Sequence, residues 1–503
     1  MAQRREFVWK PVLLSALAAM WVTASAFPAA AQTVPAPAPS HPVTFSKDIA
    51  PILQRSCQRC HRPDSVAPMA LITYQQTRPY ARAIKQRTAL KYAPWMRGVM
   101  PPWYVETNVG IQHFKDDPSL TDAEIALFAA WADSGAPEGN VADLPPPLKF
   151  AEVAEWALGK PDLIVSSPSV FVPVKRSDLV TDIGASAPIS LTQDRYTSSA
   201  EFMEIPETVL PKNISVLGGR FVFHHATIKN LGDDENAENT SPLALAPHEV
   251  GRNGESYPPD AGLLIKAHTR VAFNAHIHSS LLDRSAHLDV GFKLHPLGYE
   301  PKYKIRGSAV DTRDIQIEGN TAGQRMEAFW VAPTPVKLMN YEPHMHAAGV
   351  RMCMRAIHSV TVIETLNCAG YDHNWTRNYE YDDNYAPLLP KGTVIQWIGW
   401  FDTTAANKNM TDLRNFTRFG FPTQANMFMT FDNAIQLTDE QYQEELSKRK
   451  AFLRMTGEEP IGCPDCYEEV ATPNYLPVSQ IPASARPSGG VATTSTTAGS
   501  GTK

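Results

Sequence analysis

Apolar positions divide this chain into two textures. Over residues 43–139 they recur at helical spacing; over about 150–453 they fall into short, often alternating runs. In the first stretch, residues 49–53 lie on one predicted helix. Leu127, Phe128 and Trp131 lie on another, opened by Thr121. Thr121 with Glu124 three residues on forms a capping box, in which each side chain satisfies a backbone N–H that the helix leaves open. Leu144-Pro145-Pro146-Pro147 predicts a linker, because proline cannot donate to a helix or a ladder.

Past that linker, residues 163–165, 170–174, 219–223, 270–274, 350–357, 360–366 and 394–400 read as strands bounded by Pro, Gly, Asn and Asp. Such spacing predicts all-β sandwiches, and the region is too long for one. The expected fold is therefore multidomain. An all-α domain over 32–146 precedes two all-β, jelly-roll-like sandwiches over 147–320 and 321–455. A C-terminal segment over 456–503 turns Ser/Thr/Gly/Pro-rich near Ser479, a composition that predicts disorder.

The N-terminus changes the picture of where this chain works. Arg4, Arg5 and Lys10 accompany an apolar run over 12–27, and Ala29-Ala30-Ala31 precedes Gln32. That pattern predicts a secretory signal peptide over 1–31, cleaved after Ala31, with an uncleaved anchor as the alternative. The run is short for a bilayer span. The expectation is a soluble, exported protein in a bacterial periplasm, with no stable membrane span and a Pro/Ala-rich leader over 32–42. A formal net charge of -6 on 503 residues argues against nucleic acid as a partner. Among the six cysteines, Cys353, Cys368, Cys463 and Cys466 predict disulfides in an oxidising compartment. Three connectivities are open; a Cys353–Cys368 bridge across a hairpin is favoured.

The remaining two cysteines carry chemistry. Cys57-Gln58-Arg59-Cys60-His61 is the attachment signature of a c-type haem. Its thiols add to the haem vinyl groups, and the imidazole sits beneath the iron. A disulfide, a redox pair or half a zinc site are the competing readings. One covalent haem c makes this part of the chain an electron carrier. Met100, in Met100-Pro101-Pro102-Trp103, is the preferred distal ligand. Met69 and Met96 are alternatives, as is an open iron position, and Met69 suits core packing equally well.

The β region holds a second set of donors. His224-His225, His276-Ile277-His278 and His344-Met345-His346 are followed by Met427. Residues i and i+2 of a strand share a face, so His344 and His346 can grip one ion. His276 and His278 have the same property, and either would serve. Adjacent His224 and His225 need a bulge or a strand end to do so. Imidazole with thioether points to copper; zinc would usually bring a carboxylate or cysteine, and none lies in these clusters.

Here a family resemblance enters. Phe223-His224-His225, Phe273-Asn274-Ala275-His276, Pro343-His344-Met345-His346-Ala347-Ala348-Gly349, Tyr371-Asp372-His373-Asn374-Trp375 and Asn426-Met427 resemble the copper type II monooxygenases. That is the family of peptidylglycine hydroxylating monooxygenase and dopamine β-hydroxylase. The resemblance covers about residues 156–453 and implies two stacked sandwiches with one copper each. It implies His224, His225 and His276 on an electron-transfer copper. His344, His346 and Met427 would hold a catalytic, oxygen-activating copper. The segments 43–49, 57–63, 100–103 and 135–139 resemble a bacterial cytochrome c domain found ahead of such modules.

The implied activity is hydroxylation of a C–H bond of a small organic substrate with O2. Electrons would come from a periplasmic donor through the haem. Two departures bear on substrate. The peptide-hydroxylating members carry a basic residue where this chain has Glu342, and a Tyr where it has Phe431, so their carboxylate clamp is missing. Glu342 is then either an ordinary solvated carboxylate or one that favours a cationic or hydroxylated substrate. His373 is expected behind the ligands. His248, His268, His287 and His295 are expected to be structural or exposed, and His113 to lie near the haem edge or on the surface. Two other function classes fit the residues. One is a non-catalytic haem/copper electron-transfer protein; the other is a haem enzyme whose β region binds substrate.

Overall fold

The small helical part at the front forms around its own core. A π-helical turn, Phe45–Ile49, runs into the helix Ala50–Ser56. Tyr74–Thr77 leads through a tight turn into Ala81–Ala89, and Asp122–Asp133 closes the group. The Thr121–Glu124 capping box is present as its spacing predicts, and a second one joins Thr73 to Gln76. Phe45, Ile49, Leu53, Phe128 and Trp131 share one buried core. Arg55 bridges the first helix to the capping Glu124 at 2.8 Å.

The computed structural model describes residues 41–63, 65, 67–90, 99–150, 156, 158–174, 179–208, 222–230, 244–249, 254–278, 282–308, 312–410, 412–414, 416–420, 424–455 and 462–463. All belong to one contact unit, Pro39–Lys503. The expected signal peptide, Met96, Cys466 and the C-terminal tail lie outside the described residues. Strand exceeds helix about twofold, at 36% against 17%. Among the described residues, no helix is long and apolar enough to cross a membrane.

Two β cores follow. In the first, a four-stranded sheet runs in the order Leu179–Ala185, Val271–Ile277, Phe223–Asn230, Ala244–Glu249. It shares a core with strands of a larger sheet, including Arg195–Pro206 and Arg284–Leu294. Burial alternates along the latter, so that Ala286, Leu288, Val290 and Phe292 point inward, as period-two packing demands. The second core lies on a five-stranded sheet ordered Val105–Gly110, Ile363–Gly370, Gly349–Ile357, Val394–Phe401, Gln324–Val331. Cys353 and Cys368 are direct partners across two of these strands and form a disulfide, the favoured pairing. Cys463 is also disulfide-bonded.

Two connections tie these parts together. The larger sheet passes from one half to the other. Tyr303–Ser308 pairs in parallel with Ala261–Ile265 and antiparallel with Asp432–Gln436. The strand Val105–Gly110, within the stretch read as helical, adds to an edge of the second half. Glu106 and Arg351 form a buried ion pair there, with Arg351 Nη2 2.9 Å from Glu106 Oε2. Asn367 Nδ2 donates to the Ile111 carbonyl at 2.7 Å. A further difference is the helix Asp439–Leu453, in a region read as strands. Thr438 and Gln441 cap it, and Lys302 and Lys337 bind Glu444 and Glu445 on its flank.

Candidate metal centre

Neighbouring residues on a flat strand project to opposite faces, so His224 and His225 meet only where pairing breaks. It does break here. Opposite them, His276 pairs with His225 while Ile277 pairs with Phe223, leaving His224 as the extra residue of a β-bulge. The Nδ1 atoms of His224 and His225 come within 3.3 Å. Glu204 fixes the chain just ahead of the bulge. Its carboxylate accepts the N–H groups of Val222 and Phe223, each at 3.0 Å, and lies 3.7 Å from the buried Arg284 guanidinium. Burial pushes the Glu204 carboxyl up to about 7 against the pull of those donors.

His276 and His278 share the facing side of their strand. The ligand nitrogens of His224, His276 and His278 lie within 4.8 Å of one another. Both members of the His276/His278 alternative are therefore in the group. The His225 ring stands 4.9 Å from that of His276 and 5.2 Å from that of His344, so it borders both halves.

The second half uses regular pairing. Pro343–Met345 runs antiparallel to Phe428–Thr430, with His344 opposite Met429 and Met345 opposite Phe428. Continued one step beyond the paired residues, that register would set Met427 opposite His346, on the face shared with His344. All three are buried. His346 Nδ1 meets the Ala425 carbonyl at 3.2 Å, which leaves Nε2 for a metal. Phe431, cross-strand from Glu342, stands 5.2 Å from His344 as an apolar wall.

Glu342 corrects one expectation: it is fully buried and not a solvated surface carboxylate. Its backbone N–H donates to Asp432 Oδ1 at 2.8 Å, and its Oε2 lies 3.5 Å from Asn340 Nδ2.

The two halves meet in one cluster. His373 lies 5.7 Å from His224, 6.0 Å from His276 and 5.6 Å from His346, centroid to centroid. Burial first, then the mutual repulsion of neighbouring imidazoles, holds His224, His225 and His344 well below the ordinary histidine range. The same causes bring His373 down to about 4. These rings are neutral at pH 7 and present lone pairs. The Nδ1 atoms of His344 and His373 are buried without a hydrogen-bond partner. Neutral imidazoles with a thioether, and no carboxylate in the three-histidine group, form a donor set that fits copper. The ring of His373, expected behind the ligands, lies within 6.0 Å of those of His224, His276 and His346; its motif was visible in sequence, its position was not.

The haem signature sits on a turn after the first helix. His61 N–H and Cys60 N–H both donate to the Cys57 carbonyl, at 2.9 and 3.1 Å. Cys57 and Cys60 are free thiols, not a disulfide. Burial pushes the Cys57 thiol up to about 12 and also raises Cys60. His61 Nδ1 faces the Met69 carbonyl at 3.1 Å, so Nε2 remains for an axial bond. Two thiols one turn apart beside a singly engaged imidazole fit a haem c. Met69 packs with Cys57 in the helical core, on the Nδ1 side of His61. Met100 is 42% exposed and borders a cleft with Thr88, Leu120 and Ile125.

Several other histidines engage partners of their own. His295 Nε2 meets the Ala261 carbonyl, His287 pairs with Glu207, and His113 stacks on Tyr385. His268 occupies a positive-φ position, and the His248 side chain lies outside the described residues.

No family model matches the chain, and no curated protein matches it. Among solved structures, the infectious bursal disease virus VP2 subviral particle overlays 56% of this chain and 73% of its own. Identity there is 10% and the TM-score 0.17. A structure titled STIV MCP overlays 48% of this chain and 94% of its own, at 7% identity and a TM-score of 0.16. Likeness that slight shows nothing about fold or function.

Proposed function

We propose that this protein is a copper-dependent monooxygenase that hydroxylates a C–H bond of a small organic substrate, supplied with electrons through a c-type haem on its helical front part. The observation that carries the reading is the convergence of three histidine clusters: the ligand nitrogens of His224, His276 and His278 lie within 4.8 Å of one another, and the His225 ring stands 5.2 Å from that of His344. Copper held there would supply O2 activation and one-electron transfer, consuming O2 and two electrons per hydroxyl formed and returning water. His224, His225 and His276, with His278 beside them, would hold the electron-transfer copper. His344, His346 and Met427 would hold the catalytic one.

The chain's own groups supply geometry and dryness. Glu204 holds the bulge that lets His224 and His225 face one site. Phe431 excludes water from the His344 side, and the buried Glu342 precedes His344 by two residues. With no basic residue at that position, a carboxylate-bearing peptide lacks its clamp. A neutral, cationic or hydroxylated small molecule suits the site better.

On the front part, Cys57 and Cys60 would carry the haem, with His61 beneath the iron and Met100 as the distal ligand. The Arg377 charge acts on Cys60 while its guanidinium lies 5.3 Å over the Trp103 ring. Arg377 follows His373 by four residues in the chain, and this charge coupling supports electron delivery from the Cys57–His61 turn toward the histidines. A periplasmic location and donor complete the proposal and rest on the N-terminal pattern alone.

The test is copper per haem, on protein matured where haem is attached and then loaded with copper. About two tightly bound coppers per haem are expected from two imidazole-rich groups. A normal haem with no specific copper would overturn the reading and leave an electron carrier.

A further inference from the structure

We propose that the outer face of the segment running from Arg78 to Ala89 docks an acidic one-electron carrier protein, which reduces the haem. This rests on the haem reading above. Charge is unevenly spread along the chain. Residues 55–97 hold nine Lys or Arg against one Asp, in a protein of net charge -6. The rest of the chain therefore carries the acidic excess, so a negatively charged partner is repelled elsewhere and drawn here.

Ion pairs within the helical part decide where the positive excess is presented. Arg55 pairs with Glu124, Arg59 with Asp116 and Lys85 with Asp133, at 2.8, 3.0 and 2.6 Å. Arg78, Arg82 and Arg87 lie on the exposed side of the turn Arg78–Tyr80 and the helix Ala81–Ala89. Arg78 and Arg82 are one turn apart, and like charges so placed repel until a partner neutralises them. Tyr80, between them, is 39% exposed. Tyr set among Arg is the composition enriched at protein interfaces.

The inner face of the same helix leads to the haem end. Ile84 is buried in the helical core, and Thr88 lines the cleft bordered by Met100, the proposed distal ligand. A carrier on the outer face is separated from that cleft by one helix, about 10–12 Å across. Electron-transfer encounters are among the smallest protein interfaces, below about 1,200 Å² in total, so one helix face suffices. Each encounter moves one electron from the reduced carrier to the ferric haem, which becomes ferrous; no bond forms or breaks.

The test follows haem reduction by its absorbance after rapid mixing, on the full chain with haem attached. The probes are a reduced cupredoxin with an acidic face and hydroquinone, a small uncharged reductant. The cupredoxin rate should fall at least about tenfold between about 10 mM and about 300 mM salt, while the hydroquinone rate stays flat. Arg78→Glu with Arg82→Glu should slow the cupredoxin at least about tenfold at low salt, with haem absorption and the hydroquinone rate unchanged. Arg78→Gln with Arg82→Gln, gentler on folding, should slow it less and in the same direction. A cupredoxin rate unchanged in either variant would overturn the proposal, and so would a native rate independent of salt. Native binding to phosphatidylglycerol vesicles that the variants lose while keeping the cupredoxin rate would overturn it too, by giving the face to a membrane. A chain that attaches no haem would instead overturn the haem reading, so the two failures are distinguishable.

Discussion

The two halves of the histidine cluster reach one end by opposite means. In the first half, adjacent His224 and His225 meet because the ladder breaks at a bulge. In the second, His344 and its neighbours are placed by a ladder between Pro343–Met345 and Phe428–Thr430 that does not break. A regular register needs only correct pairing, since period two does the rest. A bulge has to be held, and Glu204 holds it through two backbone N–H groups beside Arg284. The first half should therefore be sensitive to one buried anchor, and the second to whatever sets its strand pairing.

Four perturbations test that contrast. The largest effect belongs to Met427→His, which keeps the register but exchanges a thioether for an imidazole. Turnover should fall to background while the haem absorption stays unchanged. Full turnover would remove Met427 from the site. Glu204→Ala comes next. It strips the bulge of its anchor and the buried Arg284 of this carboxylate, costing about 3–5 kcal/mol in urea unfolding. Metal affinity of the first group should fall about tenfold with the second unchanged. Equal weakening of both groups would break the contrast.

Replacing Cys353 and Cys368 together by Ala removes a bridge spanning 15 residues of sequence. A cost of about 3 kcal/mol is expected in the strands that lead into the His373 segment. The bulge in the first half should be untouched, read as unchanged metal binding by His224, His276 and His278.

The smallest effect is acid sensitivity of the metal-free protein. Unfolded histidines take up protons near 6.5, whereas folded His373 waits until about 4. Between those values the unfolded state binds more protons, so stability present above pH 6.5 is lost as pH falls toward 4. The melting temperature should drop by several degrees from pH 7 to pH 5, on the order of 2–4 °C per kcal/mol. His373→Gln should drop less. A melting temperature independent of pH over that range would show that the cluster is wetter than its burial indicates.

Much of the helical front part was legible in sequence. The Thr121 capping box, the spacing of Phe128 and Trp131, and the turn that carries Cys57 to His61 depend on contacts within a few residues. The strand Val105–Gly110 was not legible. Its buried Glu106 makes sense only beside a partner strand some 250 residues away and the buried Arg351. The helix Asp439–Leu453 carried a readable cap at Thr438 and Gln441, but it sits in strand-rich surroundings, and its apolar residues show no marked stripe. Glu342 shows the reverse problem: a charged residue, solvated by default, is buried because its strand is inside.

Residue types and short spacings were enough to name the disulfide across neighbouring strands and to single out the Cys57–His61 turn and the histidine pairs on which the proposed haem and copper rest. Each rests on bond chemistry or on the period of a helix or strand, which a few neighbours enforce. Folding in three dimensions decided the rest. It placed a bulge at His224, paired the His344 strand with Phe428–Thr430 across about 80 residues of chain, and set His373 near rings of both groups. Those outcomes come from long-range pairing and burial, whose free energy belongs to the whole core and has no signature in any local stretch of sequence.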